Sequence, residues 1–247
     1  NYNDMKNARI IFIEECVSTQ EYVRQLIRQE GTVQNLVVVA ERQTAGRGRG
    51  ENRWESEPGQ NLLCTLLYPV RQKAETQSYI SRAVSLALCD LLMLYAGNYA
   101  IKWPNDIMLD GKKVAGILIE HQVSGSSLAY SLIGIGLNVN QEMFPAGLNA
   151  TSLIHATETK FRIKDILRTL LSCLESRLYL YESQKWKELD ESYHRHLLGY
   201  QQQCRFVNHS NIEFEAMVKG VDEFGRIILE HDGSTHLYDL NEVHMKL

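Results

Sequence analysis

The densest set of residues able to do chemistry is a short run of alternating glycines and arginines. Its members are Gly46, Arg47, Gly48, Arg49 and Gly50. Glycine lets a backbone approach a ligand closely, and arginine offers a rigid fork of donors suited to carboxylate and phosphate. The apolar residues 36–40, directly upstream, predict a buried strand. The pattern therefore predicts a loop that closes over an anion at the end of a strand.

Three other interpretations of this run remain open. A dinucleotide turn requires a helix to begin inside the glycines, and residues 51–56 show no helical apolar stripe. An RNA-binding arginine–glycine tail is disfavoured because the run is short and lies between two predicted strands. A solvated surface loop is the default for a polar connection. Trp54, just after the run, offers a flat face for a base and favours a ligand site.

A second set of candidate residues surrounds an unusual turn, Trp-Pro-Asn-Asp at residues 103–106. Proline and asparagine turn the chain, so Lys102 lies at the end of the preceding strand. Asp-Gly at residues 110–111, between two apolar runs, predicts a hairpin, so Lys113 begins the return strand. We therefore expect Lys102, Asp106 and Lys113 to reach one face of this region. The alternative is that they are ordinary turn residues and edge charges.

Two further positions could contact a ligand or simply shape the backbone. Ser18 and Thr19 open a predicted helix, where capping and ligand contact are both possible. Gly134 and Gly136, near the end of a predicted strand, indicate either the close approach of a ligand or backbone, or a β-bulge. Asn138 follows them and offers a donor and an acceptor to a base edge.

Composition narrows the class of protein. The 247 residues are 44% hydrophobic, which is ordinary for a globular chain with a sizeable core. A net charge of −4 gives no global attraction to DNA or to an acidic membrane. The five cysteines are far apart and form no C-x-x-C pair, and with no signal peptide or long uncharged apolar span we expect a cytoplasmic protein.

Periodicity predicts an α+β chain with two domains. Helical stripes are predicted at residues 77–95, 163–181 and 185–197, between predicted strands. After Gly199 short strands alternate with turns, which is typical of a small SH3-like β-barrel. We therefore expect a ligand-binding domain at residues 1–198 and a barrel domain at residues 199–247.

With these motifs in their order, the chain resembles the biotin protein ligases. The matching residues are Ser18-Thr19, Gln43, Gly46-Arg47-Gly48-Arg49, Trp54, Lys102 to Asp106, Lys113 to Leu118 and Gly134 to Asn138. The resemblance implies a mixed, largely antiparallel sheet flanked by helices, like the catalytic domain of class II aminoacyl-tRNA synthetases, plus the C-terminal barrel. It implies an ATP- and Mg²⁺-dependent enzyme that makes biotinyl-5'-AMP and transfers biotin to a lysine of a biotin carboxyl carrier protein.

The resemblance also implies roles for individual residues. The catalytic residues would be Lys113, Arg49 and Asp106. The biotin-binding residues would be Ser18, Thr19, Gln43, Gly46, Arg47, Lys113 and Gly116. The residues binding ATP or the adenylate would be Arg47, Arg49, Trp54, Lys102, Asn105, Lys113 and Asn138. The sequence does not show which residues would hold the metal.

Departures and alternatives accompany this prediction. Gly50 follows Arg49 directly, Glu51 and Asn52 replace a glycine and a basic residue, and Gln20 replaces an asparagine. No DNA-binding domain is expected before Arg9, so we predict a ligase without repressor function, acting as a monomer or weak homodimer. A lipoate–protein ligase of related fold and a non-enzymatic adenine-nucleotide-binding regulator are the two alternatives.

Overall fold

Two β-sheets and five α-helices form the protein over the residues that the computed structural model describes, 8–31, 34–50, 52–70 and 72–247. The first sheet contains β1 Arg9–Cys16, β2 Leu36–Gln43, β3 Leu62–Pro69, β4 Tyr99–Lys102, β5 Asp106–Leu109, β6 Lys112–Ser124 and β7 Ser127–Leu137. Its strand order is β1-β2-β3-β7-β6-β5-β4. Strands β1 and β2 run parallel and every other neighbouring pair is antiparallel, so the predicted mixed, largely antiparallel sheet is confirmed.

The helices cover this sheet. They are α1 Thr19–Glu30, α2 Gln77–Tyr95, α3 Leu153–Thr157, α4 Ile163–Glu182 and α5 Trp186–His196, with a 3₁₀ turn at Ala74–Thr76. Helix α1 begins as predicted: the Ser18 side chain accepts a hydrogen bond from the Glu21 backbone N–H at 3.2 Å. It ends at Gly31, whose φ of 66° is the left-handed conformation that glycine adopts without strain.

Helix α2 is the most buried helix. The segment Ala74–Tyr95 is the one span of the described chain that is long and apolar enough to cross a membrane, but 61% of its most apolar window is buried inside the protein. Core helices pass the same test of length and apolarity. Its buried side chains, among them Ile80, Leu88 and Leu91, belong to the main hydrophobic core, so α2 is a core helix.

The second sheet is antiparallel and lies at the end of the chain. Its strands are β8 Gln203–Asn208, β9 Glu213–Val221, β10 Ile227–His231, β11 Ser234–Tyr238 and β12 Val243–Met245, in the order β11-β10-β9-β8-β12. The alternating pattern predicts strands at residues 204–207, 213–218, 226–229 and 236–240, which correspond to β8 to β11. It misses β12, which has only three residues. The five strands agree with a small SH3-like domain, and complete closure into a barrel stays a prediction.

The two sheets share one hydrophobic core. Phe206 and Ile227 of the second sheet belong to the same buried cluster as Ile101 of the first. Hydrogen bonds cross this junction as well: Trp103 Nε1 donates to the Gly225 carbonyl at 3.0 Å. The predicted boundary at residues 198/199 lies between the sheets, and the independence of the two parts stays a prediction.

Candidate active site

A cavity of about 650 Å³ lies beside α1, over the first sheet, and the second sheet closes one of its sides. Eleven of the residues assigned from the sequence line it: Ser18, Thr19, Gln43, Arg47, Arg49, Trp54, Lys102, Asn105, Asp106, Lys113 and Gly116. Segments far apart in the sequence therefore meet at one place, as the prediction required. Gly46 and Asn138 are the two assigned residues outside this lining.

One end of the cavity is a buried polar cluster at the start of α1. The Thr19 backbone N–H and hydroxyl lie 2.8 and 3.1 Å from Gln43 Oε1, and the Thr19 hydroxyl lies 2.7 Å from that of Thr65. Because Thr19 occupies the Gln43 oxygen, the amide nitrogen is the group that Gln43 can offer to a ligand. Thr65 carries no sequence motif, and only strand pairing brings it beside α1. This end is suited to a neutral, hydrogen-bonding group.

The glycine–arginine run forms a small hairpin. Arg47 pairs with Arg53 in an isolated antiparallel bridge, and the Gly48 N–H donates to the Asn52 carbonyl at 2.8 Å. Gly50 has a φ of 64° and so turns the hairpin at its tip. The shifted glycine therefore has a structural role in this chain, whereas Glu51 lies outside the described residues. No helix begins inside this run, which argues against a dinucleotide turn.

Trp54 lies across the floor of the cavity. A Cβ on Gly136 would be 2.5 Å from the indole, and a Cβ on Gly116 would be 2.9 Å from it, so both positions require glycine to accommodate the ring. Gly134 instead accommodates the side chain of Gln20, whose Nε2 donates to the Leu118 carbonyl at 2.8 Å. The predicted close approach is therefore made by side chains. The alternative of a bulge is wrong, because Gly134 and Gly136 lie in regular register.

The other end of the cavity is strongly basic. Its basic residues are Arg47, Arg49, Arg53, Lys102 and Lys113, and Asp106 is the one carboxylate of the lining side chains. Lys113 Nζ lies 2.6 Å from Asp106 Oδ1 and 5.6 Å from the centre of the Trp54 ring. Burial lowers the pKa of Lys102, against the attraction of Asp106. The excess of positive charge suits a ligand with several negative charges.

Two predicted ligand residues brace the backbone. The Asn105 side chain donates to the Ile117 carbonyl at 2.8 Å and holds the turn against β6. Asn138 is 4% exposed, and its amide donates to the Thr151 carbonyl at 3.0 Å. Gly46 leaves room for the hairpin, because a Cβ there would lie 2.5 Å from the Trp54 carbonyl oxygen. Their contacts with a ligand stay predictions.

Sequence reasoning named no individual residue of the wall that the second sheet contributes. Asn241, His244 and Met245 line the cavity. They belong to β12 and the turn before it, in a segment too short to give a periodic signal. The side chain of Asn241 accepts a hydrogen bond from Arg49 Nη2 at 2.7 Å. No pattern in the sequence could have indicated this pair, because 192 residues separate its members.

The described residues form no cluster of three or more acidic, histidine or cysteine side chains able to hold a metal ion. In nucleotide sites Mg²⁺ is held by one or two carboxylates together with the substrate phosphates. Asp106 is the available carboxylate, and it is already paired with Lys113. The residues alone therefore do not make a metal site.

A mixed sheet covered by helices, with a cavity that is lined by neutral polar and by basic side chains, is the arrangement expected of a protein that binds an anionic small molecule. The chain belongs to the biotin/lipoate A/B protein ligase family, which it matches over residues 13–138.

Several relatives extend this match to most of the chain. The bifunctional ligase/repressor BirA of Bacillus subtilis is 30% identical over 241 residues, covering 95% of this chain and 74% of that protein. The biotin–[acetyl-CoA-carboxylase] ligase of Mycobacterium tuberculosis is 27% identical over 85% of this chain and 79% of its own length. Among solved structures, the biotin protein ligase from Aquifex aeolicus in complex with biotin and ATP superposes with a TM-score of 0.79. That match covers 96% of this chain and 98% of the other at 23% identity, and supports the fold.

Proposed function

We infer that this protein is a biotin–protein ligase. It activates biotin with ATP as biotinyl-5'-AMP and transfers biotin to a lysine of a carrier protein of a biotin-dependent carboxylase. The observation that carries this inference is the coincidence of the family match with one cavity whose polar and basic ends suit the two substrates. The names of the Bacillus and Mycobacterium relatives support the same activity.

The polar end of the cavity fits the ureido ring of biotin. That ring presents N–H donors and one carbonyl acceptor in a neutral group. Ser18, Thr19 and Gln43 offer hydroxyls and an amide at this end, and the apolar Ile117 and Ile135 line the cavity as well. The valeryl chain would then direct the carboxylate toward Lys113 at the basic end.

Activation of biotin brings two anions together. A carboxylate oxygen attacks the α-phosphorus of ATP, a new P–O bond forms, and the bond to the bridging oxygen breaks as pyrophosphate leaves. Lys113 and Arg49 would stabilise the charge that develops on the α-phosphate. Arg47 and Lys102 add positive charge for the remaining phosphates. The Trp54 indole would present its face to the adenylate.

Transfer of biotin requires an amine nucleophile. The acceptor lysine nitrogen attacks the biotinyl carbonyl carbon, a C–N bond forms, and the C–O bond to phosphate breaks as AMP leaves. The amine must lose a proton during this step. Asp106, 2.6 Å from Lys113, is the carboxylate available to orient the amine or accept that proton. A closed hairpin keeps water away from the reactive anhydride.

Mg²⁺ would arrive with ATP, because the described side chains that line the cavity offer it a single carboxylate, that of Asp106. The ion would supply positive charge to the phosphates. We place the reaction in the cytoplasm, where carrier proteins and ATP occur together, and propose that the protein acts without DNA as a monomer or weak homodimer.

Mass spectrometry tests this function. A carrier domain incubated with the protein, ATP, Mg²⁺ and biotin should gain the mass of one biotin. Lipoate in place of biotin should give no mass change, and a gain with lipoate alone would indicate the lipoate ligase instead. Binding of nucleotide without either acid, measured by calorimetry together with an unmodified carrier, would indicate a regulator.

A further inference from the structure

The Arg49 side chain connects the two sheets across the cavity. Its Nη2 donates to Asn241 Oδ1 at 2.7 Å, so the hairpin of the first sheet is tied to the second. Among the described side chains, Asn241 is the one hydrogen-bond partner of the Arg49 guanidinium. A guanidinium carries five N–H donors, so most of them stay available to a ligand.

The support beneath Asn241 is fixed by its own hydrogen bonds. The turn from Asp239 to Glu242 is closed by the Asp239 N–H bonding to Glu242 Oε2 at 2.7 Å and the Glu242 N–H bonding to the Asp239 carbonyl at 3.0 Å. Strand β12 follows at once and pairs with β8, placing His244 opposite Val207. The Asn241 oxygen is therefore presented from an ordered turn.

The hairpin that carries Arg49 has a backbone that the hydrogen bond to Asn241 can hold in place. Its tip contains Gly48 and Gly50, and glycine gives a backbone more freedom than any other residue. The Arg49 side chain is partly buried, which lowers its pKa, while the charge of Asp106 acts in the opposite direction. Arg49 lines the same cavity as Asp106, where the phosphates of the proposed substrate would bind.

We propose that Asn241 is a positioning residue for nucleotide binding. It holds the Arg49 guanidinium over the cavity before ATP arrives, so that ATP and the adenylate meet an arginine already in place. An amide oxygen suits this task because it accepts a hydrogen bond without neutralising the arginine, which keeps its full charge for phosphate. Ordering a contact group in advance lowers the entropy lost on binding. This proposal rests on the proposed function.

A double-mutant cycle tests the proposal. Asn241→Ala should raise the KM for ATP and the off-rate of biotinyl-AMP by roughly three- to tenfold, the scale of one hydrogen bond. The kcat at saturating ATP and the Kd of biotin without nucleotide should stay within about twofold. In an Arg49→Ala background, Asn241→Ala should have no further effect, because the residue to be positioned is gone.

The controls separate positioning from structure. Leu240→Ala changes the exposed neighbour of Asn241 outside the cavity and should leave all four quantities unchanged. If Asn241→Ala lowers the melting temperature, Asn241→Ser serves as the second variant. Unchanged KM and off-rate, or an equal loss in the Arg49→Ala background, would overturn the proposal. Absence of biotinyl-AMP from the wild-type protein would instead refute the proposed function.

Discussion

Gly136 lies directly beneath the indole of Trp54, so closely that a Cβ added to it would be 2.5 Å from Cε2. Gly136 of β7 therefore leaves the space that the ring occupies, and Trp54 lines the cavity in which we place the adenylate. The packing of Trp54, next to the glycine–arginine hairpin, thus depends on the absence of a side chain at Gly136 of strand β7. A change that fills the space beneath the ring tests whether the position of Trp54 matters for activity.

Gly136→Ala should displace the indole and lower kcat/KM for ATP by roughly ten- to hundredfold, as a misplacement of about 1 Å can do. Pyrophosphate release measures this effect, and circular dichroism verifies the fold. The matched control is Gly97→Ala, since a Cβ there meets nothing within 4 Å. If both variants keep wild-type rates, the position of the Trp54 ring is unimportant for the reaction.

Lys113→Ala should reduce biotinyl-AMP synthesis by about a hundredfold or more, the scale of one lost electrostatic contact in the transition state. The loss also leaves Asp106 without its ion-pair partner at a site that must bind anions. Lys112→Ala, on the exposed neighbouring position of β6, is the control and should keep normal activity. Pyrophosphate release that is unaffected by Lys113→Ala would remove Lys113 from the catalytic residues.

Arg49→Gly should accelerate release of biotinyl-AMP by roughly ten- to hundredfold, because a charge-assisted contact to phosphate is lost. Biotin should then appear on bystander proteins such as added albumin. The off-rate of radiolabelled biotinyl-AMP is the direct measurement. Arg53→Ala is the matched comparison from the other side of the hairpin, and a larger effect there would assign retention of the adenylate to Arg53.

We predict that the protein loses stability in acid because of the buried side chain of His121. Burial lowers the pKa of His121 to about 4, below its usual value of 6.5, and its Nδ1 lies 2.8 Å from the Ser131 hydroxyl. The folded state favours the neutral ring, so this contribution is complete above about pH 6.5 and is lost as the pH falls toward 4.

Urea unfolding at pH 7 and 4.5 measures this effect. The wild-type protein should lose about 1–2 kcal/mol more than His121→Gln, a value reduced for solvent screening of a partly exposed ring. An equal loss in both proteins would show that another group titrates. His194, whose pKa burial also lowers, would then be tested in the same way.

Most of the fold could be predicted because its elements repeat their pattern over many residues. Helix α2 has the predicted bounds, Gln77–Tyr95, and the hairpin at Asp110 and Gly111 has the positive φ values that its sequence indicates. Helix α3, Leu153–Thr157, was missed because five residues are too few to show a helical period. Strand β12 was missed for the same reason.

The part of the candidate site that could be predicted consists of residues that lie close together in the sequence. The spacing of Lys102, Asp106 and Lys113 around a turn and a hairpin was enough to bring them together. Thr65 and Asn241 could not be found this way. The first depends on the pairing of β2 with β3, and the second on the packing of one sheet against the other. Such contacts are set by the tertiary structure and leave no spacing signal.

The pair of Lys113 with Asp106 gives the cavity its own counter-ion. A small anion such as inorganic phosphate would have to compete with Asp106 for Lys113, and it would make few other contacts to offset this competition. In the proposed reaction, a triphosphate would also reach the surrounding arginines and would displace Asp106 from Lys113. The carboxylate would then be available to the incoming amine. We therefore expect the site to bind a triphosphate in preference to a short anion. The replacement of Asp106 by phosphate beside Lys113 would also prepare the second step of the reaction.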